Sequence, residues 1–485
     1  MINIQRSNIR MTPDSKRVVA RYFVPGGKER AVLIINNILE LPPEENKRYL
    51  QHVLTRFSGR HRSITKLLNS HCEKIFQDTE FSPALTLSQE QKLLIGAFFT
   101  MEYSIESAAF FNPSIVENPD QYGVMEGEKK VIISFRAVGE GHISSLVFRE
   151  GIIDKNNQLT LMPPRNNIVD LPDTIQRFVY EKDKFIQKMK EMKLSERINS
   201  LISDALPEKF NYGELRKHLE QCAAVTDNSA IDKESISQVM WLAKSHYELS
   251  FSMDSPVSER VIFPVSYREQ KGIEDVRFVR FSDNDGNIKF YGTYTAYDGT
   301  AILPKIIETE DFYRFAISPL HGLTVQNKGM ALFPRLINGR YAMLARIDGR
   351  NNYLMMSNDI HVWPEKAVMV HSPVYPWEFI QVGNCGSPIE TRKGWLVLTH
   401  GVGPMRQYCL GAVLLDLKNP AKLIGRLKEP LMIPNEEERE GYVPNVVYSC
   451  GGMLHGDSIV LPYALSDYCS SFAVIPLNPL LDELV

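Results

Sequence analysis

The sequence predicts a mainly β protein: a five-bladed propeller preceded by a helical module and interrupted by a helical insertion. Three observations carry that expectation. From about residue 110 onward, short runs rich in Val, Ile, Phe and Tyr alternate with Gly/Asn/Asp turns, as strands joined by hairpins do. The runs fall into five units of one plan: apolar strand, Gly-containing turn, apolar strand, polar turn, third strand. Repeats of this size built from short strands read as propeller blades, with an irregular β-sandwich as the competing arrangement. Before the first unit, and between the first and second, apolar residues recur at helical spacing instead.

The helical module is expected over residues 1–105. Glu29 to Leu41 carries Val32, Ile35, Ile38 and Leu39 at helical spacing and stops at Pro42-Pro43. Glu45 to Phe57 and Arg62 to Phe76 repeat the style. Leu87 to Phe99 opens on Ser88 followed by Gln91, a capping-box pattern. Residues 106–485 hold the propeller. Its first unit runs FNPSIVEN, KKVIISFRAVG, HISSLVFREGII. The second starts at EDVRFVRFSDNDG, the third at MALFPRLINGR, the fourth at NCGSPIETRKG and the fifth at YVPNVVYSCGG. The insertion, about 171–250, includes YEKDKFIQKMKEMKLSERINSLISDAL and DKESISQVMWLAKSHYEL, both helix-periodic with charged outer faces.

Composition narrows the function. Hydrophobic residues make up 44% of 485, enough for a core that needs neither disulfides nor a structural metal. Lys+Arg total 55 against Asp+Glu 58, a net charge of −3, which argues against nucleic acid as a partner. No run of about 18 apolar residues is present, so no membrane span is expected. The beginning MINIQRSNIRMTPDSKRVVARYF has no apolar leader region, and the six cysteines show no CxxC spacing, so reduced thiols and a cytoplasmic location are expected. Walker loops, HExxH and helical His pairs are missing from the sequence, and no metal or cofactor is expected.

Polar residues collect at the starts and turns of the β units, where a propeller would bring different blades together. The first unit offers Glu106, Asn112, Arg136, Glu140 and His142. The second offers Glu274, Asp275, Arg277 and Asp298. Lys328, Arg346 and Asp348 follow in the third, His400, Arg406 and Tyr408 in the fourth, and Asn445, Tyr448 and Asp467 in the fifth. Carboxylates ringed by cations suit two tasks, protonating a leaving oxygen and holding an oxyanion such as phosphate. A blade-to-blade salt bridge is the plainer reading of a pair such as Asp275 and Arg277.

Several of these stretches together resemble glycoside hydrolase family 130, the β-mannoside phosphorylases and related mannosidases. They are Ile105–Ser114, Phe135-Arg136-Ala137, Gly272–Arg277, Lys328–Pro334, Gly394–Val402 and Gly441–Gly451. The resemblance runs from about residue 105 onward, apart from the insertion. Glu274-Asp275-Val276-Arg277 is similar to the family's Glu-Asp-Pro-Arg motif, with Val276 in place of Pro. The resemblance implies a five-bladed propeller and inverting phosphorolysis of terminal β-mannosides to α-mannose 1-phosphate and a shortened acceptor. It implies Asp275 as proton donor, acting through the mannose 3-hydroxyl. Arg136, Lys328, His400, Arg406 and Tyr408 would bind phosphate. Glu106, Asn112, Glu274, Arg277, Asp298, Asn445 and Asp467 would contact the substrate. The expected partners are a mannose-containing oligosaccharide and inorganic phosphate as co-substrate. The helical module is the kind of surface that packs in a homo-oligomer. Two alternatives remain open: a water-using β-mannosidase with Glu106, Glu140 or Asp298 as base, and a non-catalytic carbohydrate-binding propeller.

Overall fold

The computed structural model of the chain describes residues 2–484 apart from 84–85, 164–166, 176–177, 193, 226–229, 265–271, 298–301, 323, 326 and 364–365. Asp298 lies outside the described residues. The molecule is mostly β, with its strands in several separate sheets.

Five antiparallel meanders account for most of the strands, and each falls on one of the five sequence units. The first has Ala109–Glu117, Lys129–Val138 and Ser144–Ile153. The second has Gly272–Ser282, Ile288–Tyr297, Ile302–Thr309 and Arg314–Pro319. The third has Lys328–Leu332, Tyr341–Arg346, Asn352–Ser357 and Val368–His371. The fourth has Gln381–Asn384, Gly394–Val402, Tyr408–Leu415 and Leu423–Arg426. The fifth has Val447–Tyr448, Ser458–Leu465 and Cys469–Pro476. One parallel pairing, Gly272 with Ser144, joins the first two meanders into one larger sheet. The strands are apolar on both faces because each packs between neighbouring sheets. Val397, Leu414, Ile459 and Ala473 are all fully buried.

The helical segments form as their periodicity predicts. Helices span Gly27–Leu39, Pro43–Phe57, Ile64–Thr79 and Gln89–Phe98. Ser88 accepts from the Gln91 amide and the Gln91 side chain returns the bond to Ser88, completing the expected capping box. Ala31, Ile35, Ile38, Cys72 and Ile75 form the seam between these helices. Residues 1–105 are nevertheless not a purely helical module. Gln5–Arg6 pairs with Cys469–Pro476 and becomes an outer strand of the fifth meander, and Val18–Tyr22 pairs with Thr100–Ser104. Two residues at a sheet edge are too short to register as a period, which is why the sequence pattern does not show them.

The insertion holds helices Lys182–Glu191, Glu196–Ala205, Tyr212–Val225 and Ala230–Lys244 around a core of its own that includes Met189, Ile198, Ile202, Leu215 and Leu242. Its two flanks, Asp173–Ile175 and Tyr247–Ser250, pair with each other, and the second flank extends the second meander through Arg314–Pro319. The insertion therefore leaves and re-enters the chain at one sheet edge. Among the described residues no helix is long and apolar enough to cross a membrane.

Candidate active site

The first strands of three meanders carry the same irregularity. Their register shifts between Phe111 and Ser114, between Glu274 and Arg277, and between Lys328 and Ala331. In each, the residue after the last paired position is left-handed: Asn112 (φ 51°), Asp275 (φ 55°) and Gly329 (φ 79°). Such a bulge leaves one residue unpaired and re-aims its side chain. Asn and Asp are the side-chain-bearing residues that tolerate this conformation best. Pro113 follows Asn112 in the same geometry in which Val276 follows Asp275, so Val276 in place of proline leaves the bulge intact.

The residue facing each bulge across the meander follows a pattern too. Arg136 lies opposite Phe111, Thr295 opposite Glu274 and Arg346 opposite Lys328, while in the fourth meander His400 lies opposite Gly383. The sequence shows the same pattern as Arg-Ala-Val-Gly at 136–139, Arg-Ile-Asp-Gly at 346–349 and His-Gly-Val-Gly at 400–403. Arg346 is the position that the sequence reading named but did not carry into its phosphate set.

These positions join in a ring to which every meander contributes. Asn112 donates its amide to Asp275 Oδ1 at 2.7 Å, and Arg136 Nη1 lies 3.6 Å from the same oxygen. Arg136 Nη2 donates to Glu274 Oε1 at 2.8 Å, and Lys328 Nζ donates to Glu274 Oε2 at 2.7 Å. From Asp275 the ring continues through Arg277, which donates to the Asp275 carbonyl at 3.1 Å and to the Tyr448 hydroxyl at 2.6 Å. The Tyr448 ring is 4.9 Å from His400, and His400 Nε2 accepts from Arg346 Nη1 at 3.2 Å. Arg346 pairs back across the meander to Lys328.

Charge sets the protonation states. Burial is the largest influence on Asp275 and pulls its pKa upward. Arg136, Arg277, the Asn112 hydrogen bond and Lys328 overcome that pull and hold the carboxyl below its usual range. Asp467, left-handed in the hairpin turn between Ser458–Leu465 and Cys469–Pro476, behaves oppositely: burial, then the charge of Asp275, pushes it up to about 6 against Arg136 and Arg406. One carboxyl in the site thus holds its proton weakly and a second holds it more strongly.

Most predicted site residues gather here. Asp275, Glu274, Asn112, Arg136, Lys328, Arg277, His400 and Tyr448 are in the ring, and Asp467 and Arg406 act on it through their charge. Tyr408 stacks 6.2 Å from His400 and accepts from Gln381 at 3.4 Å. The Oδ1 of Asn445 is taken by Arg439 Nε at 3.0 Å, and its carbonyl accepts from the Tyr408 amide, so it braces the site's edge.

Two expectations change. Glu106 is wholly buried and bound by Arg17 at 2.6 Å and by Arg149 at 2.8 Å, so neither a sugar nor a water can use it. The preceding segment reaches back into the first meander at this point, a long-range pairing that no local spacing reveals. His400 is not a cation. Burial, followed by the charges of Arg346 and Arg277, drives its pKa well below the ordinary histidine value, and Nε2 already accepts a hydrogen bond from Arg346 Nη1. It orients Arg346, which supplies the positive charge. Among the described residues no group of His, Cys, Asp or Glu is arranged to hold a metal ion.

A carboxyl group set among arginines and lysine, on strands that come from separate meanders, is equipped for acid-assisted transfer to an oxyanion, a chemistry that carbohydrate-cleaving enzymes use. The model of glycoside hydrolase family 130, described as beta-1,4-mannooligosaccharide phosphorylase, matches residues 242–484. The chain is 33% identical over 222 residues to a 1,2-beta-oligomannan phosphorylase of Thermoanaerobacter sp. (strain X514), covering 44% of this chain and 70% of that protein. It is 25% identical over 249 residues to a beta-1,2-mannobiose phosphorylase of Listeria innocua, covering 50% of this chain and 68% of the relative. A solved beta-1,2-mannobiose phosphorylase from Listeria innocua, in complex with beta-1,2-mannobiose, superposes with a TM-score of 0.46 at 20% identity, over 78% of this chain and 92% of the other. The chain belongs to glycoside hydrolase family 130. Asn112 and Arg136 precede the matched segment, yet their side chains meet Asp275 and Glu274.

Proposed function

We propose that the chain is an inverting β-mannoside phosphorylase. Its five meanders are the blades of a propeller, with the contact ring at the blades' common axis. The observation that carries this reading is the ring itself, in which Asp275 sits on a left-handed bulge among Asn112, Arg136 and Lys328. The names of the relatives support phosphate as the nucleophile.

Inorganic phosphate binds between Lys328, Arg346 and Arg136, with Arg406 and Tyr408 at the margin, and attacks the anomeric carbon opposite the leaving oxygen. One displacement inverts the centre and gives α-mannose 1-phosphate. Asp275 supplies the proton, relayed through the mannose 3-hydroxyl. In the resting site the cations hold Asp275 ionised. A bound phosphate spends those positive charges on itself, and the same carboxyl then rises toward protonation. Phosphate is thus both nucleophile and the group that arms the acid, so it binds first. Glu274, Asn112 and Asp467 face the sugar, and no cofactor is needed.

Hydrolysis is the second reading. An inverting hydrolase needs a second carboxylate as base, about 6.5–9.5 Å from the acid. Glu106 is locked between two arginines, and both oxygens of Glu274 are occupied. Asp467 and the exposed Glu140 are the described candidates that remain for that role. The deciding experiment incubates the enzyme with β-1,2- and β-1,4-mannobiose with and without inorganic phosphate and follows products by phosphorus and proton NMR. Phosphate-dependent α-mannose 1-phosphate is the expected result. Free mannose at equal rates in phosphate-free buffer would establish hydrolysis instead.

A further inference from the structure

Ser466 and Asp467 are consecutive left-handed residues with side chains (φ 48° and 50°), a conformation that persists only where surrounding structure imposes it. The structure shows what imposes it. The Ser466 hydroxyl donates to the Glu438 carbonyl at 2.6 Å, the Ser466 amide donates to the Val446 carbonyl, and the Val443 amide donates to the Ser466 carbonyl. A Cβ on Gly441 would lie 2.5 Å from the Ser466 carbonyl oxygen, so segment 433–446 lies tight against the turn. That segment also carries Asn445 and Tyr442, whose ring is 5.4 Å from His142.

The segment is itself anchored through one fully buried carboxylate. Glu438 accepts from Tyr463 at 2.7 Å and from the Asn435 amide at 3.1 Å. Its charge partner comes from the far end of the chain: Arg6 Nη1 donates to Glu438 Oε2 at 2.8 Å, and Arg6 Nη2 donates to the Ile433 carbonyl at 2.7 Å. Arg6 lies on the two-residue strand that pairs with Cys469–Pro476.

We propose that Arg6 is a positioning residue for the sugar side of the site, acting through Glu438 on the turn that presents Asp467. The inference rests on the mannoside phosphorylase reading. Without Arg6, Glu438 is left buried with no ion-pair partner among the described residues, and the segment shifts to bring it toward water. Asp467 and Asn445 move with the segment. Lys328 and Arg346, which are held by the third meander, do not.

The test is steady-state kinetics of Arg6→Ala, Arg6→Lys and Glu438→Gln, varying mannoside and phosphate independently, at a temperature where circular dichroism shows each variant folded. For Arg6→Ala, kcat/KM for the mannoside should fall roughly tenfold or more, as misplacement of positioned groups does. The KM for phosphate should stay within about twofold, since Lys328, Arg346 and Arg136, its main cations, keep their places. Arg6→Lys should recover part of the loss, because its ammonium still reaches one Glu438 oxygen. If Arg6→Ala fails to fold, Arg6→Lys and Glu438→Gln carry the same comparison. Unchanged mannoside kinetics in these variants, or equal loss on both substrates, would overturn the inference. A wild-type enzyme that cleaves mannosides in water alone refutes the phosphorylase reading instead, and leaves the mannoside kinetics still able to judge Arg6.

Discussion

Replacing Asp275 by Asn removes the proposed proton donor and little else. Asn adopts the left-handed conformation that position 275 requires, as Asn112 shows in the equivalent bulge. The Asn112 amide can still meet an amide oxygen at the place where Asp275 Oδ1 accepts at 2.7 Å. The loss is therefore chemical. A positioned general acid contributes about 10²- to 10⁴-fold, which is roughly 3–5 kcal/mol of barrier. Phosphorolysis of a natural mannobiose should fall by that factor. An activated mannoside whose leaving group needs no proton, such as a dinitrophenyl mannoside, should be cleaved by Asp275→Asn far closer to the wild-type rate. Asp275→Ala should be worse on both substrates, because alanine adds about 1 kcal/mol of left-handed strain, deprives the Asn112 amide of its acceptor and takes a nearby carboxylate from Arg136. The assay is initial-rate release of mannose 1-phosphate under saturating phosphate. If Asp275→Asn keeps full activity on mannobiose, or loses equally on both substrates, Asp275 is not the acid.

Three other outcomes follow from the same contacts. Asp467→Asn should stabilise the protein at pH 7. The native pKa of about 6 lies above the unfolded value, so the stability from Asp467 is fully present below pH ~4 and is lost as pH rises through 6. The gain, at most roughly 3 kcal/mol, should appear in urea denaturation at pH 7 and vanish at pH 4. His246, lowered to about 3 by burial, and His321, also lowered well below its usual value by burial, line a cavity of about 120 Å3 where the insertion meets the second and third meanders. Lys184, Lys188, Lys305 and His361 oppose their protonation, while Glu308 and Asp359 balance part of that charge. Their stabilisation is present above pH ~6.5 and is lost as pH falls below it, so hydrogen-exchange protection factors, referred to the intrinsic rate at each pH, should fall in Lys182–Glu191 at pH 5 ahead of the meander strands. Glu106→Gln should lower stability by about 3 kcal/mol or more, since Arg17 and Arg149 lose a buried partner. Its kcat at 25 °C should stay near wild type, and a selective loss of kcat would return Glu106 to the site.

Much of the site was legible because the chemistry repeats with the strands. Asn112, Asp275 and Lys328-Gly329 stand at the same step of successive units, and the cross-strand Arg136, Arg346 and His400 each stand three residues before a glycine or its equivalent. What the sequence could not show was protonation and reach. His400 reads as a cation by residue type, yet a buried imidazole facing two arginines stays neutral. Glu106 reads as a site carboxylate because it precedes the first strand, but its fate is decided by Arg17, 89 residues away. Local patterning placed the first four helices to within about three residues at each end and overlooked Gln5–Arg6, whose partner lies at Ala473–Val474.

That pairing has a consequence for how the molecule is made. The strand Gln5–Arg6 is synthesised before its partners, Ala473 and Val474, with the first four meanders between them. At about 5–20 residues per second the wait is on the order of half a minute or longer. Through that interval Gln5–Arg6 has no strand to pair with, and Glu438, once it emerges, meets its ion-pair partner only if Arg6 has remained free. The contact between Arg6 and Glu438 therefore closes only after the segments that carry Asn112, Asp275 and Lys328 have been made.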